Sequence, residues 1–417
     1  MFDALRDYLS QLRRLSRHRS YRRLLIGGFI SALGDRVCYI AFLGAITTLS
    51  ENSLGIFAIT IAEMLPALLV APVVSLMVDR YDRRKLMLLA DLARGVLFTL
   101  IVVFPSIWLL LLVAFLAAAF STLFEPSRQA LEPFYIPEGE LVQAGGIRQG
   151  VMSVVMIAGP ALGGLLVAIL GYRAALLFDA ITFFASAWFV LRLDKPHNAA
   201  SEKGEGGWKE IIGGWQTVRS SAILRHLFGM FAAFTFVIGI QFPLIFVFVR
   251  ENLHGGPTEA GWLISAVGVG GIVGGLLLAA MKKENQLFNA DSIKGRRNLA
   301  FVVALDGLVV LFFAGLHSLV VVLGVFAVFG LIGTVLTTGL TAAISIQSPA
   351  QFRGRVFALY AAISGPLMVA SIVLGAPLAQ RYGAAKVFYV SGGLELIVGA
   401  IAWKRSSKPM QSALDAV

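Results

Sequence analysis

Charged residues and cysteine are both scarce in this chain of 417 residues. Charged residues make up 14% of the chain, whereas soluble domains contain about 25%. Cys38 is the only cysteine, which excludes a fold stabilised by disulfide bonds. The dipeptide Gly-Lys does not occur, so the chain has no phosphate-binding loop of the Walker type. No His-Glu-x-x-His pair occurs either, which argues against a membrane-embedded zinc enzyme.

Hydrophobic residues, in contrast, make up 58% of the chain, and the mean hydropathy is +0.81. This excludes a disordered chain, which needs low hydrophobicity. A helix needs about 20 apolar residues to cross a bilayer. We count twelve apolar runs and therefore expect an all-α polytopic membrane protein with twelve transmembrane helices. The expected spans are residues 22–50, 54–78, 86–104, 107–125, 146–170, 173–193, 222–249, 259–281, 298–315, 318–345, 354–379 and 385–404.

The distribution of Lys and Arg gives these spans an orientation. Both termini and the even-numbered loops lie on one side of the membrane, which carries 28 of the Lys and Arg residues against 4 on the other. Basic residues concentrate on the cytoplasmic side, so both termini are expected to be cytoplasmic. The net charge of +11 then reflects loops beside anionic lipid headgroups, and nucleic acid is not an expected partner.

The longest polar stretch, 194–221, lies at the middle of the chain. Residues 172–178 also match residues 382–388 at four of seven positions, an offset of 210 residues or half the chain. Parallel six-helix repeats are used by transporters, so we expect two six-helix bundles. The expected organisation is a cytoplasmic amphipathic segment (1–21), a first six-helix bundle (22–193), a cytoplasmic linker (194–221), a second six-helix bundle (222–404) and a cytoplasmic tail (405–417).

The cytoplasmic loop between expected spans two and three reads Asp-Arg-Tyr-Asp-Arg-Arg-Lys over residues 79–85. A carboxylate at the end of one helix can accept hydrogen bonds from free N–H groups at another helix's start, and arginines can pair with carboxylates of the facing bundle. This composition favours a cytoplasmic gate made of Asp79, Arg80, Arg83 and Arg84. A basic cytoplasmic loop that contains a helix cap is the simpler interpretation.

Expected span five contains Gly159-Pro160-Ala-Leu-Gly163-Gly164. Proline removes a backbone hydrogen bond, and glycines allow another helix to approach closely. The segment is therefore expected to bend and to pack at a moving interface. Ordinary packing of small residues between helices is the alternative.

These two motifs resemble signatures of the major facilitator superfamily. The loop is similar to Gly-x-x-x-Asp-Arg-x-Gly-Arg-Arg-Lys, with Ser75 and Asp82 in place of its two glycines. The segment in span five is similar to the Gly-x-x-x-Gly-Pro-x-x-Gly-Gly motif of the superfamily's drug:proton antiporters, with Val155 in place of its first glycine. Phe-Glu-Pro-Ser-Arg-Gln-Ala-Leu at 124–131 and Ser-Ala-Leu-Gly-Asp at 31–35 resemble the branch that contains macrolide-efflux proteins and the enterobactin exporter. The resemblance implies export of amphipathic or lipophilic compounds such as drugs by alternating access, in a monomer.

Nine ionisable residues fall within the expected spans, where a charge is costly unless it is paired or hydrated. A carboxylate in such a position can exchange a proton, so Asp35, Glu63 and, in the second half, Asp306 are candidates for proton coupling. A static ion pair or a role in helix packing is the alternative. Asp91 and Arg94 stand three positions apart on one helix face, which favours an ion pair that belongs to the cytoplasmic gate. No role is assigned to Arg36, Arg148, Asp179 and Glu395.

The sequence therefore favours a secondary active transporter, and specifically a proton-coupled exporter in the bacterial inner membrane. Its expected partners are a small amphipathic substrate, protons and membrane lipids, and no cofactor or metal is expected. Export or flipping of a defined metabolite or lipid, such as a siderophore or a lysophospholipid, is the alternative among transporters. Outside that class, the alternatives are a membrane-embedded enzyme and a non-transporting receptor or scaffold. Lack of any cargo-dependent flux would favour the scaffold.

Overall fold

Helices make up the regular secondary structure in the part of the chain that is described. The structure is a computed structural model that describes residues 14–49, 54–136, 140–194, 207–280 and 288–407. The all-α expectation is confirmed for these ranges. Parts of the expected amphipathic segment, linker and tail, namely residues 1–13, 195–206 and 408–417, lie outside the described residues.

The first of two structural units comprises Met1–Lys203. Its helices are α1 (Arg19–Leu49), α2 (Leu54–Arg80), α3 (Arg83–Val103), α4 (Ile107–Leu131) and α5 (Leu141–Leu191), with a 3₁₀ turn at Glu132–Tyr135. Asp82 caps α3, because its side chain accepts hydrogen bonds from the backbone N–H groups of Arg84 and Lys85. Gly171 interrupts α5 with φ 80° and ψ 165°, a conformation nearly restricted to glycine. The parts of α5 before and after Gly171 are therefore two successive helices.

Small residues bring α1 close to both parts of α5, the helix against which it mainly packs. A Cβ atom at Gly34 would overlap the side chains of Asp179 and Thr182, which follow the break in α5. A Cβ atom at Gly163, before the break, would lie 3.0 Å from the Cα atom of Val37. Glycine at these positions therefore sets the distance between α1 and α5.

The second unit comprises Gly204–Val417. Its helices are α6 (Gly207–Ser220), α7 (Ala222–Asn252), α8 (Pro257–Ala280), α9 (Ile293–Ala314), α10 (Leu319–Gln347), α11 (Arg353–Tyr382) and α12 (Ala384–Ser406), with a 3₁₀ turn at Ala350–Phe352. Within this unit α9 packs against α12, α8 against α10, and α11 against both α6 and α7. The short helix α6 lies in the segment that we expected as a linker. Its Gly213 and Gly214 pack against Arg355 of α11.

Ten helices of the described chain are long and apolar enough to cross a membrane, judged by length and composition. One of these segments, Gln143–Leu191, has 49 residues and contains the break at Gly171. A further apolar helix, Leu54–Val70, is shorter. These lengths agree with a polytopic membrane protein, while the count of twelve spans and their orientation stay predictions.

The two units repeat one another in their backbone turns. Gly171 precedes the last helical segment of the first unit, and Gly383 precedes α12 with nearly the same backbone angles, φ 81° and ψ 159°. These glycines are 212 positions apart, as are Gly95 of α3 and Gly307 of α9, which is the third long helix of its unit. The repeat in the structure thus has a register two positions longer than the offset of 210 found in the sequence match.

Candidate functional site

Arg94 of α3 lies at the centre of a buried charge cluster in the first unit. Its side chain is 1% exposed, and its Nη2 atom lies 2.5 Å from Oδ1 of Asp91. Its Nη1 atom lies 3.4 Å from Oδ1 of Asp35 on α1. The guanidinium also donates to the Ser31 hydroxyl, and it lies 4.1 Å from the ring centroid of Phe183. One cation therefore serves two carboxylates that belong to two helices.

The two carboxylates are held unequally by Arg94. Asp91 is fully buried and shares a helix with Arg94, so the pair forms without bringing two helices together. The side chain of Asp35 is 43% exposed, and its contact with Arg94 is the longer one. Asp35 is thus the partner that can be released while Arg94 stays compensated by Asp91.

Further charges lie within electrostatic range of Asp35. Glu63 of α2 is half-buried, and the charges of Asp35 and Arg36 both act on it. Glu125 of α4 also acts on Asp35. The structure therefore brings the predicted coupling residues Asp35 and Glu63 together in one unit, near the Asp91–Arg94 pair.

The glycine motif of α5 faces α1 immediately after Asp35. A Cβ atom at Gly159 would overlap the side chain of Arg36, and Gly163 lies against Val37 as described above. Pro160 stands inside the helix between them, and Gly164 is buried. The motif therefore packs α5 onto the segment of α1 that directly follows Asp35.

Two arginines of the loop at residues 79–85 contact the ends of other helices in their own unit. Nη1 of Arg83 donates to the carbonyl oxygen of Ala130 in α4 over 3.3 Å. Arg84 donates to the carbonyl oxygens of Val190, over 3.0 Å, and Leu191 at the end of α5. Cations are stabilised at the carboxyl ends of helices, so these contacts hold three helix ends together. The described contacts of the two arginines are with backbone carbonyls of their own unit, and the pairing with carboxylates of the facing bundle stays a prediction.

The remaining members of the predicted gate are less informative. Arg80 is exposed at the end of α2. The side chain of Asp79 lies outside the described part of the structure. The cap of α3 comes from Asp82, the residue that stands where the superfamily signature has its second glycine.

Sequence reasoning missed a four-residue ionic network at the end of α4. Arg128 is 3% exposed and donates to Glu125 over 2.6 and 2.9 Å and to Glu132 over 3.3 Å. Arg148 of α5 approaches the same two carboxylates, at 3.5 and 3.7 Å. The signal was present in the sequence, since spacings of three and four along a helix place Glu125, Arg128 and Glu132 on one face.

The second unit contains a pair of buried carboxylates. Asp306 of α9 and Glu395 of α12 are both 0% exposed, and the charge of Asp306 acts on Glu395. Nε2 of Gln241 donates to Oε1 of Glu395 over 3.0 Å. Neither oxygen of Asp306 has a hydrogen-bond partner among the described residues, and no described Lys or Arg acts on either carboxylate. The third predicted coupling residue therefore belongs to the other unit, in a site of different composition.

These residues can pair ions and exchange protons. Within the described ranges, no group of three or more His, Cys, Asp and Glu residues is arranged to hold a metal ion. Long apolar helices in two repeated units, with ionisable residues inside them, define the class of polytopic membrane transporters.

The family follows from comparison with known proteins. A model of the Major Facilitator Superfamily matches residues 24–367 and 234–415, and the chain belongs to this superfamily. The prediction drawn from the loop and glycine motifs is thus confirmed. The matched ranges extend through both structural units.

Curated relatives are similar to the chain over most of its length. An uncharacterized MFS-type transporter, YfiS, of Bacillus subtilis (strain 168) is 25% identical over 91% of this chain and 91% of its own. Macrolide efflux protein A of Streptococcus pyogenes is 24% identical over 90% of this chain and 93% of its own. The multidrug efflux pump Tap of Mycobacterium tuberculosis (strain ATCC 25618 / H37Rv) is 26% identical over 86% of this chain and 87% of its own.

Solved structures show the same fold at low identity. The nucleoside transporter NupG is similar with a TM-score of 0.72 and 11% identity, over 93% of this chain and 98% of its own. A bacterial homologue of the iron transporter ferroportin, in its inward-facing state, has a TM-score of 0.72 and 14% identity, over 94% of this chain and 99% of its own. The chain is therefore a membrane transporter with the fold of its superfamily.

Proposed function

We propose that this protein is a proton-coupled exporter of amphipathic or lipophilic small molecules. It would act as a monomer in the bacterial inner membrane, with twelve spans and cytoplasmic termini, by alternating access between its two bundles. The names of two relatives, a macrolide efflux protein and a multidrug efflux pump, support this class of cargo. The excess of Lys and Arg on one side supports the orientation.

The competition of Asp35 and Asp91 for Arg94 carries the proposal. When Asp35 is ionised, it attracts Arg94 and ties α1 to α3. When Asp35 takes up a proton, its attraction for Arg94 weakens, while Asp91 keeps the guanidinium compensated. Protonation would therefore loosen α1 from α3 without leaving a buried, unpaired cation.

The glycine motif would transmit the loosening of α1 from α3 to helix α5. α5 packs against α1 at Gly159 and Gly163, next to Asp35. If α1 moved, α5 would move with it, because the two helices are packed too closely at these glycines to shift independently. Glu63, which interacts with Asp35, would be a second proton carrier in the same cluster.

Asp306 is the candidate in the second unit. It is 0% exposed in the arrangement described, so it would exchange a proton only in a conformation that opens its site. We therefore assign the exchange that drives export to Asp35 and Glu63.

The cytoplasmic loop would serve as a gate. Arg83 and Arg84 fix the ends of α4 and α5 at the start of α3. Together with Asp79, Arg80 and the Asp91–Arg94 pair, they would define how the cytoplasmic end of the first bundle opens.

The proposal is tested with purified protein in proteoliposomes. A pH gradient should drive accumulation of a macrolide against its concentration gradient, and Asp35→Asn should abolish this accumulation while the macrolide still binds. Glu63→Gln should reduce the accumulation. Asp291→Asn is the matched control, since Asp291 is exposed in the turn that precedes α9, and it should transport like the wild type.

Two results would contradict the proposal. Uphill transport at the wild-type rate by both Asp35→Asn and Glu63→Gln would exclude them as the coupling residues. Flux of lysophospholipid with no flux of any macrolide or drug would favour the alternative, export or flipping of a defined lipid.

A further inference from the structure

One face of α9 in the second unit is basic at its start and apolar further along. Lys294 and Arg297 stand in the first turns of the helix, and Phe301 and Leu308 follow. Spacings of three, four and seven positions place these four residues on one face. Phe301 is 56% exposed and Leu308 is 55% exposed, while Lys294 is exposed and Arg297 is half-buried. The face therefore has a basic end and an apolar body, both open to the surroundings.

The end of α12 adds an aromatic ring and further cations to the basic end of this face. The guanidinium of Arg297 lies 5.1 Å from the ring centroid of Trp403, and its Nη2 atom donates to the Ser407 hydroxyl over 2.7 Å. Lys404 and Arg405 follow Trp403 in the last turn of α12, and all three side chains are exposed. Tryptophan is enriched at membrane–water interfaces. The composition of the basic end is thus typical of the headgroup region of a bilayer.

Close packing holds the start of α9 against the end of α12. A Cβ atom at Gly399 would lie 2.9 Å from the backbone oxygen of Ala300, so the two helices nearly touch there. Arg296 is 1% exposed, and its Nη2 atom donates to the carbonyl oxygen of Ser406 over 3.3 Å. The cations of the two helices are therefore brought together by the fold, before any ligand binds.

The cations at this end lack anionic partners in the described chain. The ion pairs between described residues all lie in the first unit. Asp291, which precedes α9, accepts a hydrogen bond from Nε2 of Gln347 over 2.7 Å and forms no ion pair with Lys294 or Arg297. Guanidinium and ammonium groups both bind phosphate. The basic end therefore favours an anion that comes from outside the described chain, and a phosphate fits its donors.

The length of the apolar part indicates what kind of phosphate compound fits. Arg297 and Leu308 are 11 positions apart, which is about 16 Å along a helix. One leaflet contributes about half of the roughly 30 Å hydrocarbon core of a bilayer. The face thus offers a phosphate site and an apolar surface as long as one acyl chain. A free phosphate ion would use only the basic end.

We propose that this face of α9, together with the end of α12, binds an anionic phospholipid such as phosphatidylglycerol. The phosphate lies against Arg297 and Lys294, and an acyl chain lies along Phe301 and Leu308. A zwitterionic headgroup binds more weakly, because its own cation is repelled by the cluster. In the orientation proposed above, the lipid belongs to the cytoplasmic leaflet. The inference goes beyond the proposed function, because this binding requires neither a proton gradient nor cargo.

Native mass spectrometry of the purified full-length protein tests the inference. The protein is titrated with dioleoylphosphatidylglycerol and, separately, with dioleoylphosphatidylcholine, which has the same chains. Wild type should bind the first phosphatidylglycerol about fivefold more tightly, and Arg297→Gln should remove this preference. Arg353→Gln is the matched control, since Arg353 is also a helix-start arginine but begins α11, where it is exposed and donates to the Ser345 carbonyl oxygen. This control should keep the preference of the wild type.

Two further measurements separate lipid binding from folding and from binding of a free anion. Lys294→Gln changes an exposed position of the same face and retains Arg297, so it should fold like the wild type and lower the affinity for phosphatidylglycerol severalfold. Glycerol phosphate in large excess should not displace phosphatidylglycerol from the wild type, because it has no acyl chain.

Equal affinity of the wild type for the two lipids would overturn the inference, and so would equal losses in Arg297→Gln and Arg353→Gln. Wild-type affinity in Lys294→Gln would also overturn it. Displacement by glycerol phosphate would show a site for a free anion instead. Selective phosphatidylglycerol binding without proton-driven export would contradict the proposed function alone. Proton-driven export without a lipid preference would contradict this inference alone.

Discussion

The two units place a basic and an acidic residue at the same position of their repeat. Arg94 of α3 and Asp306 of α9 are 212 positions apart, and each directly precedes the glycine where its helix packs closely. The residues beside them, Phe183 of α5 and Glu395 of α12, are also 212 positions apart. In the first unit a cation is shared by two carboxylates. In the second unit two carboxylates meet an amide, with no cation among the described residues.

This difference separates two tasks that charges inside a membrane can perform. In the first unit Arg94 pairs with both Asp91 and Asp35, and the side chain of Asp35 is 43% exposed. In the second unit a carboxylate without a counter-ion is costly when charged, so we expect Asp306 and Glu395 to be uncharged in this arrangement. Under the proposed function, the first unit would carry the proton coupling, and the second would hold a static polar site beside an aromatic cavity.

The largest effect is expected at Arg94. Arg94→Leu leaves two carboxylates without their cation, and breaking a buried pair in this way lowers the free energy of unfolding by about 3–5 kcal/mol. Denaturant unfolding in mixed micelles measures the change. Arg148→Leu is the control, because Arg148 is 34% exposed and makes contacts of 3.5 and 3.7 Å. It should cost less than about 1 kcal/mol, and equal losses for the two variants would contradict the assigned role of Arg94.

The next effect compares one carboxylate from each unit. Asp91→Asn should lower the free energy of unfolding by about 1.5–3 kcal/mol, because it removes a charged hydrogen-bond partner of Arg94. Asp306→Asn removes a carboxylate that has no counter-ion, so it should leave stability within about 0.5 kcal/mol or raise it. Denaturant unfolding in mixed micelles measures the free energy of unfolding of both variants. If Asp306→Asn were the more destabilising variant, the contrast between the two units would be wrong.

The smallest effects are expected at the repeated glycines. A Cβ atom at Gly307 would lie 2.6 Å from the backbone oxygen of Gly392, so α9 and α12 must move apart. At Gly95 the nearest atoms are 2.8 Å away in the ring of Phe184, a side chain that is 41% exposed, so the neighbour is a side chain and not a backbone. Gly307→Ala should therefore cost about 1–3 kcal/mol and Gly95→Ala less than about 1 kcal/mol. Thermal unfolding of both variants measures the two losses of stability. A larger loss for Gly95→Ala than for Gly307→Ala would contradict the prediction.

Much of the fold could be predicted from the sequence because bilayers impose long apolar helices. The breaks at Gly171 and before Ile107 coincide with turns that were visible as short polar interruptions. Helix α6 was missed, since it lies in a polar stretch and its stability comes partly from packing on Arg355, which local pattern does not reveal.

The candidate site was predictable in part. Ionisable residues inside apolar runs stand out, so Asp35, Asp91 and Arg94 were found, and their spacing indicated the pair on α3. Arg94 and Asp35 are 59 positions apart in the sequence and lie on different helices. Their contact therefore depends on tertiary packing. The same is true of Gln241 and Glu395, which are 154 positions apart. Gln241 is uncharged, so the search for ionisable residues within the apolar spans did not detect it.

One measurement tests most directly the central claim, that Asp35 carries the exchangeable proton. A macrolide that wild type binds is added to weakly buffered, purified protein at matched pH, and proton release is followed with a pH-sensitive dye. Wild type and Asp306→Asn should release about one proton for each macrolide bound. Asp35→Asn should bind the macrolide and release much less than wild type, with the remainder coming from Glu63. Release from Asp35→Asn equal to that of wild type would contradict the account.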